Sequence, residues 1–489
     1  MSDKNSSIEQ LTAHLPDAVL DPASGDHDAE RAGFQLHHPH RPAAIVAATR
    51  AEDVRAAVEF AATHRTPFAV QATGHGRAVP TDGLLISTRR MTGVRIDPAT
   101  RTAWVEAGVT WSRVVEAAAP HGLAPLSGSF PGVGAVSYTL SGGVGLLARR
   151  YGFAADHVRR LDVVTPDGRL REVTERSEPD LFWALRGAGG HLGVVTGMEI
   201  DLVPVTHVYG GSLLVDLQRA PDVLEVWRRW TEDVPEETTS AVTVLTYPDV
   251  PQLPEGLRGR PIAHLRVVHL GSAEEGSAVV EPLRACGPIL RDTLAEIPYT
   301  RAGEIFDEPE QPHPYRGDNV VVRDLEPEAL SGLAQAAGPS ARVFTVTGIR
   351  HLGGALARPP RAANVVGHRD ARYLVSILSP VEDGEEKLVR KLHDDVLASF
   401  AGVALGRGLN FAYRELGPEE FRSAFSAEDY PRLLAIKERV DPHGLFRPGQ
   451  GGPRVARVDP ARGPVRGRHR LTGWCRSGDE AGQQSRRGE

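Results

Sequence analysis

Apolar residues in the first 200 positions alternate between the spacing of strands and that of helices. The run "PAAIV" (42–46) predicts a buried strand, "AEDVRAAVEFAATHRT" (51–66) a helix, and "PFAVQA" (67–72) the next strand, which together make a β-α-β unit. Two hairpins are predicted farther along, with turns at "DPATR" (97–101) and "PDG" (166–168), because such residues favour chain reversal.

After about residue 206 the pattern changes to extended apolar stretches that predict antiparallel strands, with helices between some of them. These stretches are "VYGGSLLVDL", "TSAVTVLTY", "PIAHLRVVHLG", "ARVFTVTGIRHLGG" and "RYLVSILSPV". A helix that ends in a proline-bounded loop is predicted at 429–450. The first 30 residues are expected to be a frayed segment with one short helix, and 453–489, rich in Arg, Gly and Pro, is expected to be disordered. The pattern therefore indicates a second domain of α+β type.

The composition excludes several classes of protein. The chain has 489 residues, 41% of them hydrophobic, and a formal net charge of −7, which argues against binding nucleic acid or an anionic membrane by bulk charge. Neither a signal peptide nor a membrane span is visible in the sequence. The two cysteines, Cys286 and Cys475, are too few for a disulfide framework or a four-thiolate metal site. We therefore expect a cytoplasmic protein with reduced thiols.

Glycine is concentrated in three loops, around 74–76, 128–145 and 187–193, each beside a predicted strand. Glycine lets the backbone approach a ligand closely, so these loops indicate a site for a planar or anionic group. The third loop, "GAGGHLG", follows a helix and precedes a strand, which is the reverse of the order in a Rossmann dinucleotide site. No P-loop lysine follows a glycine run and no G-x-S-x-G sequence is present, so neither a nucleoside triphosphatase nor an α/β-hydrolase is expected.

A histidine-rich stretch, "LHHPHRP" (36–42), raises the question of a metal site. Its prolines prevent a helical face that would present two histidines to one ion. No metal is therefore expected.

Four stretches in a fixed order point to a known family. They are "PFAVQATGHG", "GSFPGVGAVSYTLSGGVGLLARRYGFAADHV", "RGAGGHLGVVT" and "YPRLLAIKERVDPHGLFRPGQ". Together they resemble the berberine-bridge-enzyme-like FAD-linked oxidases, whose FAD-binding domain is of the PCMH type found in the vanillyl-alcohol-oxidase superfamily. The resemblance covers roughly residues 35–452.

The resemblance implies an α+β fold in which a two-part PCMH-type FAD-binding domain carries an inserted substrate domain, built on an antiparallel sheet backed by helices. The expected division is an N-terminal lead-in at 1–34, the first part of the FAD-binding domain at 35–205, the substrate domain at 206–412, the C-terminal return of the FAD-binding domain at 413–452, and the tail at 453–489.

The cofactor implied by the resemblance is FAD, held covalently. His75 matches the histidine whose ring nitrogen bonds the 8α-methyl carbon of the flavin. Many relatives have a second tether through a cysteine, but Phe130 occupies that position here, so no cysteinyl bond is expected. Val133 matches the position that gates oxygen. The cofactor-binding residues implied are Thr73, Gly74, His75, Gly76, Arg77, Gly128, Ser129, Gly132, Val133, Gly134, Tyr138, Gly142, Gly143, Gly145, Gly190, His191, Gly193, Val194, Val195 and Asn410.

The family's catalytic tyrosine follows Leu-Asn, and Phe411 stands at that position in "GLNFAYREL". Phenylalanine cannot accept a proton, so another residue must act as the base. Tyr413 would face the same side as Phe411 if the segment were a strand. Tyr138 is a second predicted catalytic residue. His368 is a third, because "VVGHRDARY" resembles a family segment that would place it on the substrate-domain sheet, facing the flavin. Further candidates are His351 and Tyr430.

The activity implied is the oxidation of an alcohol, a sugar or a secondary metabolite, with hydride transfer to flavin N5 and reoxidation of the flavin by dioxygen to give hydrogen peroxide. Bulky or aromatic substrates are included, because a covalent flavin permits a wide pocket. Two alternatives stay open, a flavin-loaded protein that sequesters a metabolite with little turnover and a flavin dehydrogenase that uses another electron acceptor. The chain is expected to be a monomer or a homodimer.

Overall fold

A four-stranded sheet forms the N-terminal part of the computed structural model, which describes residues 2–76 and 79–446. Its elements are α1 (Ser2–His14), β1 (Val19–Leu20), α2 (His27–Arg31), β2 (Ala44–Ala47), α3 (Ala51–His64), β3 (Phe68–Gln71) and β4 (Leu84–Ser87). The strand order is β1-β2-β4-β3, with β2, β4 and β3 parallel. The first 30 residues are not a frayed lead-in with one short helix, because they contain α1 and α2 and because β1 pairs with β2.

Helix α3 covers this sheet. Val54, Val58 and Ala61 are buried at helical spacing. Glu52 and Asp53 lie in the first turn, where negative charge interacts favourably with the helix dipole. The chain then enters β3, whose carboxyl end leads directly into the loop that carries the first glycine pair.

A five-stranded antiparallel sheet follows, in the order β5-β6-β9-β7-β8. Its region contains β5 (Val94–Asp97), β6 (Thr102–Glu106), α4 (Trp111–Ala118), α5 (Ala135–Leu140), α6 (Ala148–Tyr151), β7 (Val158–Val164), β8 (Leu170–Thr174), α7 (Pro179–Leu185) and β9 (Val194–Asp201). Both predicted hairpins are confirmed. The order of helix, glycine loop and strand is confirmed by α7 and β9. The short helix α5, inside the second glycine-rich segment, was not predicted.

A nine-stranded antiparallel sheet forms the other half of the molecule, in the order β13-β10-β12-β11-β16-β17-β15-β18, with β14 also paired to β10. Its elements are β10 (His207–Asp216), α8 (Val223–Asp233), β11 (Thr238–Thr246), β12 (Pro261–His269), α9 (Ala273–Arg284), β13 (Ile289–Asp292), β14 (Ala295–Pro298), β15 (Tyr315–Val322), α10 (Pro327–Ala336), β16 (Val346–His351), β17 (Tyr373–Pro380), α11 (Glu386–Ala398) and β18 (Ala404–Gly406).

The two faces of this sheet differ. One face packs its apolar side chains against the helices, and Ile349 of β16 lies in that core. The next residue, Arg350, is only partly buried and faces the first two sheets, because successive side chains of a strand point to opposite faces. The functional side of the sheet is therefore the one that the helices leave open.

The chain returns to the N-terminal half through α12 (Pro418–Arg422) and α13 (Asp429–Val440). The buried Lys437 Nζ donates hydrogen bonds to the carbonyl of His191 (2.7 Å), to Asp441 Oδ2 (2.6 Å) and to the carbonyl of Phe446 (3.1 Å). This cluster fastens α13 to the third glycine loop. The exact domain division stays a prediction. Among the described residues, no helix combines the length and the apolar character needed to cross a bilayer.

Candidate functional site

A long cleft separates the two halves of the molecule. We call its N-terminal side the cofactor wall, which belongs to the segments 72–76, 128–144 and 190–195, only some of whose residues line the cleft. We call its opposite side the substrate wall, formed by Glu308, Arg350, Phe411 and Tyr413. The cleft starts at the carboxyl end of parallel strand β3, a usual place for ligands in sheets of this kind. The predicted site residues that line it are Gly74, His75, Gly76, Gly128, Ser129, Val133, Tyr138, Gly190, Gly193, Val194, Val195, Asn410 and Tyr413.

His75 is held in place by its ring. Nδ1 is hydrogen-bonded to the hydroxyl of Thr73 (2.8 Å), and the ring stacks on Phe34 with centroids 4.1 Å apart and planes 13° from parallel. Phe130 lies 5.4 Å away at a tilt. Nε2 is buried and has no hydrogen-bond partner among the described residues. Burial, followed by the nearby charge of His313, lowers the pKa of His75 to about 4, so the ring is neutral at neutral pH.

The glycines of the loops divide into two groups. A Cβ added to Gly76 or Gly190 would meet no atom of the other described residues within 4 Å, so these positions open onto the cleft. Behind the surface, the backbone N–H of Gly143, a residue with φ 79°, donates to Asn410 Oδ1 (2.8 Å). Neighbouring side chains and backbone cover Gly132, Gly134, Gly142, Gly143 and Gly145, so these glycines do not line the cleft, and their assignment to cofactor binding stays a prediction. Their small size lets the loop fold tightly.

Tyr138 lines the cleft with its ring, which meets Trp111 edge-on at 5.5 Å. Its hydroxyl is buried and has no partner in the described part of the chain. Burial raises the pKa of Tyr138 far above its usual value, with a smaller opposing effect from the charge of Arg350. A hydroxyl in this setting is a poor proton acceptor, so the geometry does not favour Tyr138 as the base.

Several predicted residues lie away from the cleft. His191 packs edge-on against Phe421 (5.3 Å) of the C-terminal return and does not line the cleft, so its assignment to cofactor binding stays a prediction. His368 is not on a sheet: it precedes β17 in a loop, and its Nε2 is bonded to the carbonyl of Ser423 (2.7 Å). His351 stacks on Tyr373 at the helix-covered face. Tyr430, which belongs to α13, stacks on Phe425.

Asn410 joins the two halves, since its Nδ2 donates to the carbonyl of Tyr138 (2.9 Å) while Oδ1 accepts from Gly143. Phe411 ends a short 3₁₀ helix, Leu409–Phe411, so the strand geometry expected for Tyr413 was wrong. Tyr413 nevertheless reaches the cleft, because its N–H donates to the carbonyl of Gly317 (2.9 Å).

Two functional residues were not predicted from the sequence, Glu308 and Arg350. The hydroxyl of Ser129 donates to Glu308 Oε1 (2.9 Å), and Arg350 Nη2 donates to the oxygen of Ser129 (3.2 Å). Arg350 also lies over the ring of Phe411, 4.8 Å from its centroid. The alternation of β16 would have placed Arg350 opposite the apolar Ile349, but nothing in the sequence marks Glu308, which lies in a loop.

Other sequence predictions fall elsewhere. Arg77, Cys475 and the 453–489 tail lie outside the described residues. Cys286 packs beside the helix-covered core and does not line the cleft. At the surface, ligand atoms of His37, His38 and Glu386 lie within 4.8 Å of one another, so loop folding brings together two of the histidines that the prolines keep out of a helix.

Comparison with known proteins agrees with this geometry. Residues 42–174 match the family model described as FAD binding domain. The (R)-6-hydroxynicotine oxidase of Paenarthrobacter nicotinovorans is 28% identical, over 88% of this chain and 95% of that protein. BBE-like 1 of Physcomitrella patens has a TM-score of 0.78 at 18% identity, over 91% of this chain and 98% of that one. A carbohydrate oxidase of Microdochium nivale has a TM-score of 0.80 at 19% identity, over 92% and 100%. The expected α+β fold is confirmed.

Proposed function

We propose that this chain, which belongs to the berberine-bridge-enzyme-like FAD-linked oxidases, binds FAD covalently through His75 Nε2 and oxidises a small neutral alcohol with an aromatic body. It is an FAD-dependent oxidase. The observation that carries the covalent bond is the buried Nε2 of His75, which has no hydrogen-bond partner among residues 2–76 and 79–446 and lies in the wall of a glycine-lined cleft.

The residues of the cofactor wall fit FAD. Gly76 and Gly190 leave room for a flat ligand against the backbone. Val70, in the edge strand β3, also lines the cleft and is 41% exposed. An apolar side chain in that position suits contact with the cofactor. When bound, FAD supplies the acceptor for the substrate's hydride.

The attachment of His75 is chemically balanced only as an oxidation. A bond forms between Nε2 and the 8α carbon, while one C–H bond and one N–H bond are lost. The two electrons and two protons removed in this way would end on dioxygen, giving hydrogen peroxide. The hydrogen bond between Nδ1 and the Thr73 hydroxyl bears on this step, because an Nδ1 that holds the proton and donates it to Thr73 leaves the free lone pair on Nε2. A pKa of about 4 keeps that lone pair available at neutral pH.

The class of substrate follows from the surfaces near Phe130. This side chain, Val133 and Phe411 give an apolar lining. Glu308 and Arg350 add one negative and one positive group, 3.9 Å apart, so the polar end is neutral overall. These features favour an aromatic alcohol over an extended sugar, although the relatives include both a 6-hydroxynicotine oxidase and a carbohydrate oxidase.

Acid precipitation tests the covalent bond. The wild-type pellet should stay yellow, and peptide mapping should find flavin only on the His75 peptide, since Phe130 supplies no thiol. His75→Ala should release all flavin into the supernatant. His121→Ala, at an exposed histidine, is the matched control and should keep a yellow pellet. A white wild-type pellet would contradict the attachment.

Hydrogen peroxide release tests the activity. We expect release with 1-phenylethanol and less with 6-hydroxynicotine or cellobiose. Reoxidation by a quinone dye but not by air would show a dehydrogenase instead. We also propose a cytoplasmic location, which the free thiol of Cys286 supports.

A further inference from the structure

The loop between a 3₁₀ helix, Tyr299–Ile305, and β15 directs Glu308 into the cleft. Phe306 anchors the loop because it is only 8% exposed. Asp307 then adopts a left-handed conformation (φ 49°), which is uncommon for residues other than glycine. This turn separates the buried Phe306 from Glu308, whose side chain is 34% exposed and lines the cleft.

A chain of hydrogen bonds holds one oxygen of Glu308. Arg350 Nη2 donates to Ser129 Oγ, and Ser129 donates in turn to Glu308 Oε1. Arg350 is itself fixed between two rings, with its guanidinium carbon 4.7 Å from the centroid of Phe306 and 4.8 Å from that of Phe411. Within the described part of the chain, the other oxygen, Oε2, accepts no hydrogen bond. The carboxylate is thus oriented by one oxygen and free to receive a proton on the other.

Tyr413 is the nearest competitor for this role. Burial, and then the negative charge of Glu308, raise the pKa of Tyr413 to about 12, against a smaller lowering effect of Arg350. Its hydroxyl therefore stays protonated at neutral pH and can donate a hydrogen bond to a substrate oxygen. A carboxylate, which is ordinarily an anion in neutral water, is the better proton acceptor of the two.

We propose that Glu308 is the catalytic residue that accepts the hydroxyl proton of the substrate, with Ser129 and Arg350 as its positioning residues. The inference rests on the proposed function, because it requires an alcohol oxidised at the expense of FAD. As R₂CH–OH becomes R₂C=O, the C–H hydrogen leaves with its electron pair for the cofactor. The O–H bond breaks and its proton goes to Glu308 Oε2. Water at the exposed side of the carboxylate then takes the proton away.

Glu308→Gln tests this assignment, with Glu310→Gln as the matched control on an exposed position of the same loop. Several alcohols, 1-phenylethanol among them, form the test panel. The alcohol that reduces the wild-type flavin fastest is mixed with each variant in the absence of oxygen, and the loss of flavin absorbance is followed. Glu308→Gln should slow reduction by on the order of 10²- to 10⁴-fold. The substrate Kd, from the concentration dependence, should stay within about threefold. Glu310→Gln should match the wild type.

Two further measurements separate proton transfer from a structural effect. The wild-type rate should fall as the pH is lowered, and Glu308→Gln should lack that fall. Added formate should speed flavin reduction in Glu308→Ala, because a small carboxylate can occupy the vacated space. The covalent flavin content should be unchanged in both variants, since His75 lies on the cofactor wall.

The outcomes distinguish the two proposals. A wild-type flavin that no alcohol of the panel reduces would overturn the proposed function. Reduction of the wild type, with Glu308→Gln within about threefold of it at every pH, would overturn the role of Glu308 alone. A slow Glu308→Gln that keeps the acidic fall, together with a Glu308→Ala that formate does not restore, would also overturn it. A large loss in Tyr413→Phe with an active Glu308→Gln would move the role to Tyr413.

Discussion

The two walls of the cleft obtain their shape in different ways. The cofactor wall is mainly backbone, in loops where glycine permits close approach, and a few side chains such as His75 stand on it. The substrate wall is made of side chains held by charged partners. Beneath Tyr413, the buried Asp318 pairs with both Arg407 and Arg414. A backbone surface recognises a ligand common to many proteins, whereas a side-chain surface can change its chemistry one residue at a time.

The largest effect on stability is expected from Lys437→Met, which would loosen the cofactor wall. Lys437 and Asp441 are 2% and 0% exposed, so removing the cation leaves a buried carboxylate without its partner. Loss of one member of a buried pair costs about 3–5 kcal/mol. Denaturant unfolding should show this loss as a lower free energy of unfolding. In protein that also carries His75→Ala, where flavin is held without the covalent bond, Lys437→Met should weaken flavin retention.

Lys391→Met is the control for that experiment, because Lys391 also pairs with an aspartate at i+4 but is 73% exposed. It should cost less than about 1 kcal/mol. The double variant Lys437→Met/Asp441→Leu should regain part of the loss, since no charge is then left buried. Equal effects of Lys437→Met and Lys391→Met would show that this ion pair does not hold the cofactor wall.

A smaller effect is expected from Asp318→Asn on the substrate wall. Arg414 would keep its second partner, Glu420, so the loss should be about 1.5–3 kcal/mol, as for hydrogen bonds to charged groups. The free energy of unfolding measures it, and Asp324→Asn, at an exposed position, is the control. Covalent flavin content should not change. A drop in flavin content would mean that the two walls are not independent.

The smallest effect is expected from Thr73→Val, which removes the hydrogen bond to His75 Nδ1. Without this hydrogen bond the free-energy barrier to attachment should rise by about 1 kcal/mol, which corresponds to roughly fivefold slower attachment of flavin. The covalent fraction, followed by acid precipitation during expression, measures the rate. Thr100→Val alters an exposed threonine and should leave it unchanged. An unaltered rate in Thr73→Val would remove Thr73 from the orientation of the ring.

The cofactor wall could be predicted from the sequence because its determinants are local. The strand that becomes β3, the following glycines and His75 lie within ten residues, and both hairpins have turn residues between apolar runs. What the sequence does not reveal on this wall is packing between residues that lie far apart along the chain. The ring of His191 packs against Phe421 of the C-terminal return. Several glycines of the second loop are likewise covered by neighbouring residues and do not line the cleft.

The substrate wall could not be predicted in the same way. Strand β15, "YRGDNVVV", begins with polar residues, and its Asp318 is buried only because Arg407 and Arg414, about 90 residues later, neutralise it. Glu308 lies in an irregular loop, and its partner Ser129 comes from the other half of the molecule. Such pairs have no periodicity along the chain. Sequence reasoning therefore looked for the base near Phe411 and did not find the carboxylate.

The surroundings of His75 also bear on the order of events during biosynthesis. Phe34, which stacks on its ring, lies between β1 and β2, whereas Tyr315, whose hydroxyl donates to the His75 carbonyl (2.7 Å), belongs to β15. Gln35 Nε2 in turn donates to the carbonyl of Tyr315 (2.7 Å). A ribosome must therefore add 240 further residues after His75 before Tyr315 can make its contacts. The covalent bond proposed for His75 would then form after both halves have folded. The amount of flavin that stays bound after acid precipitation would report how much of the newly made chain has folded.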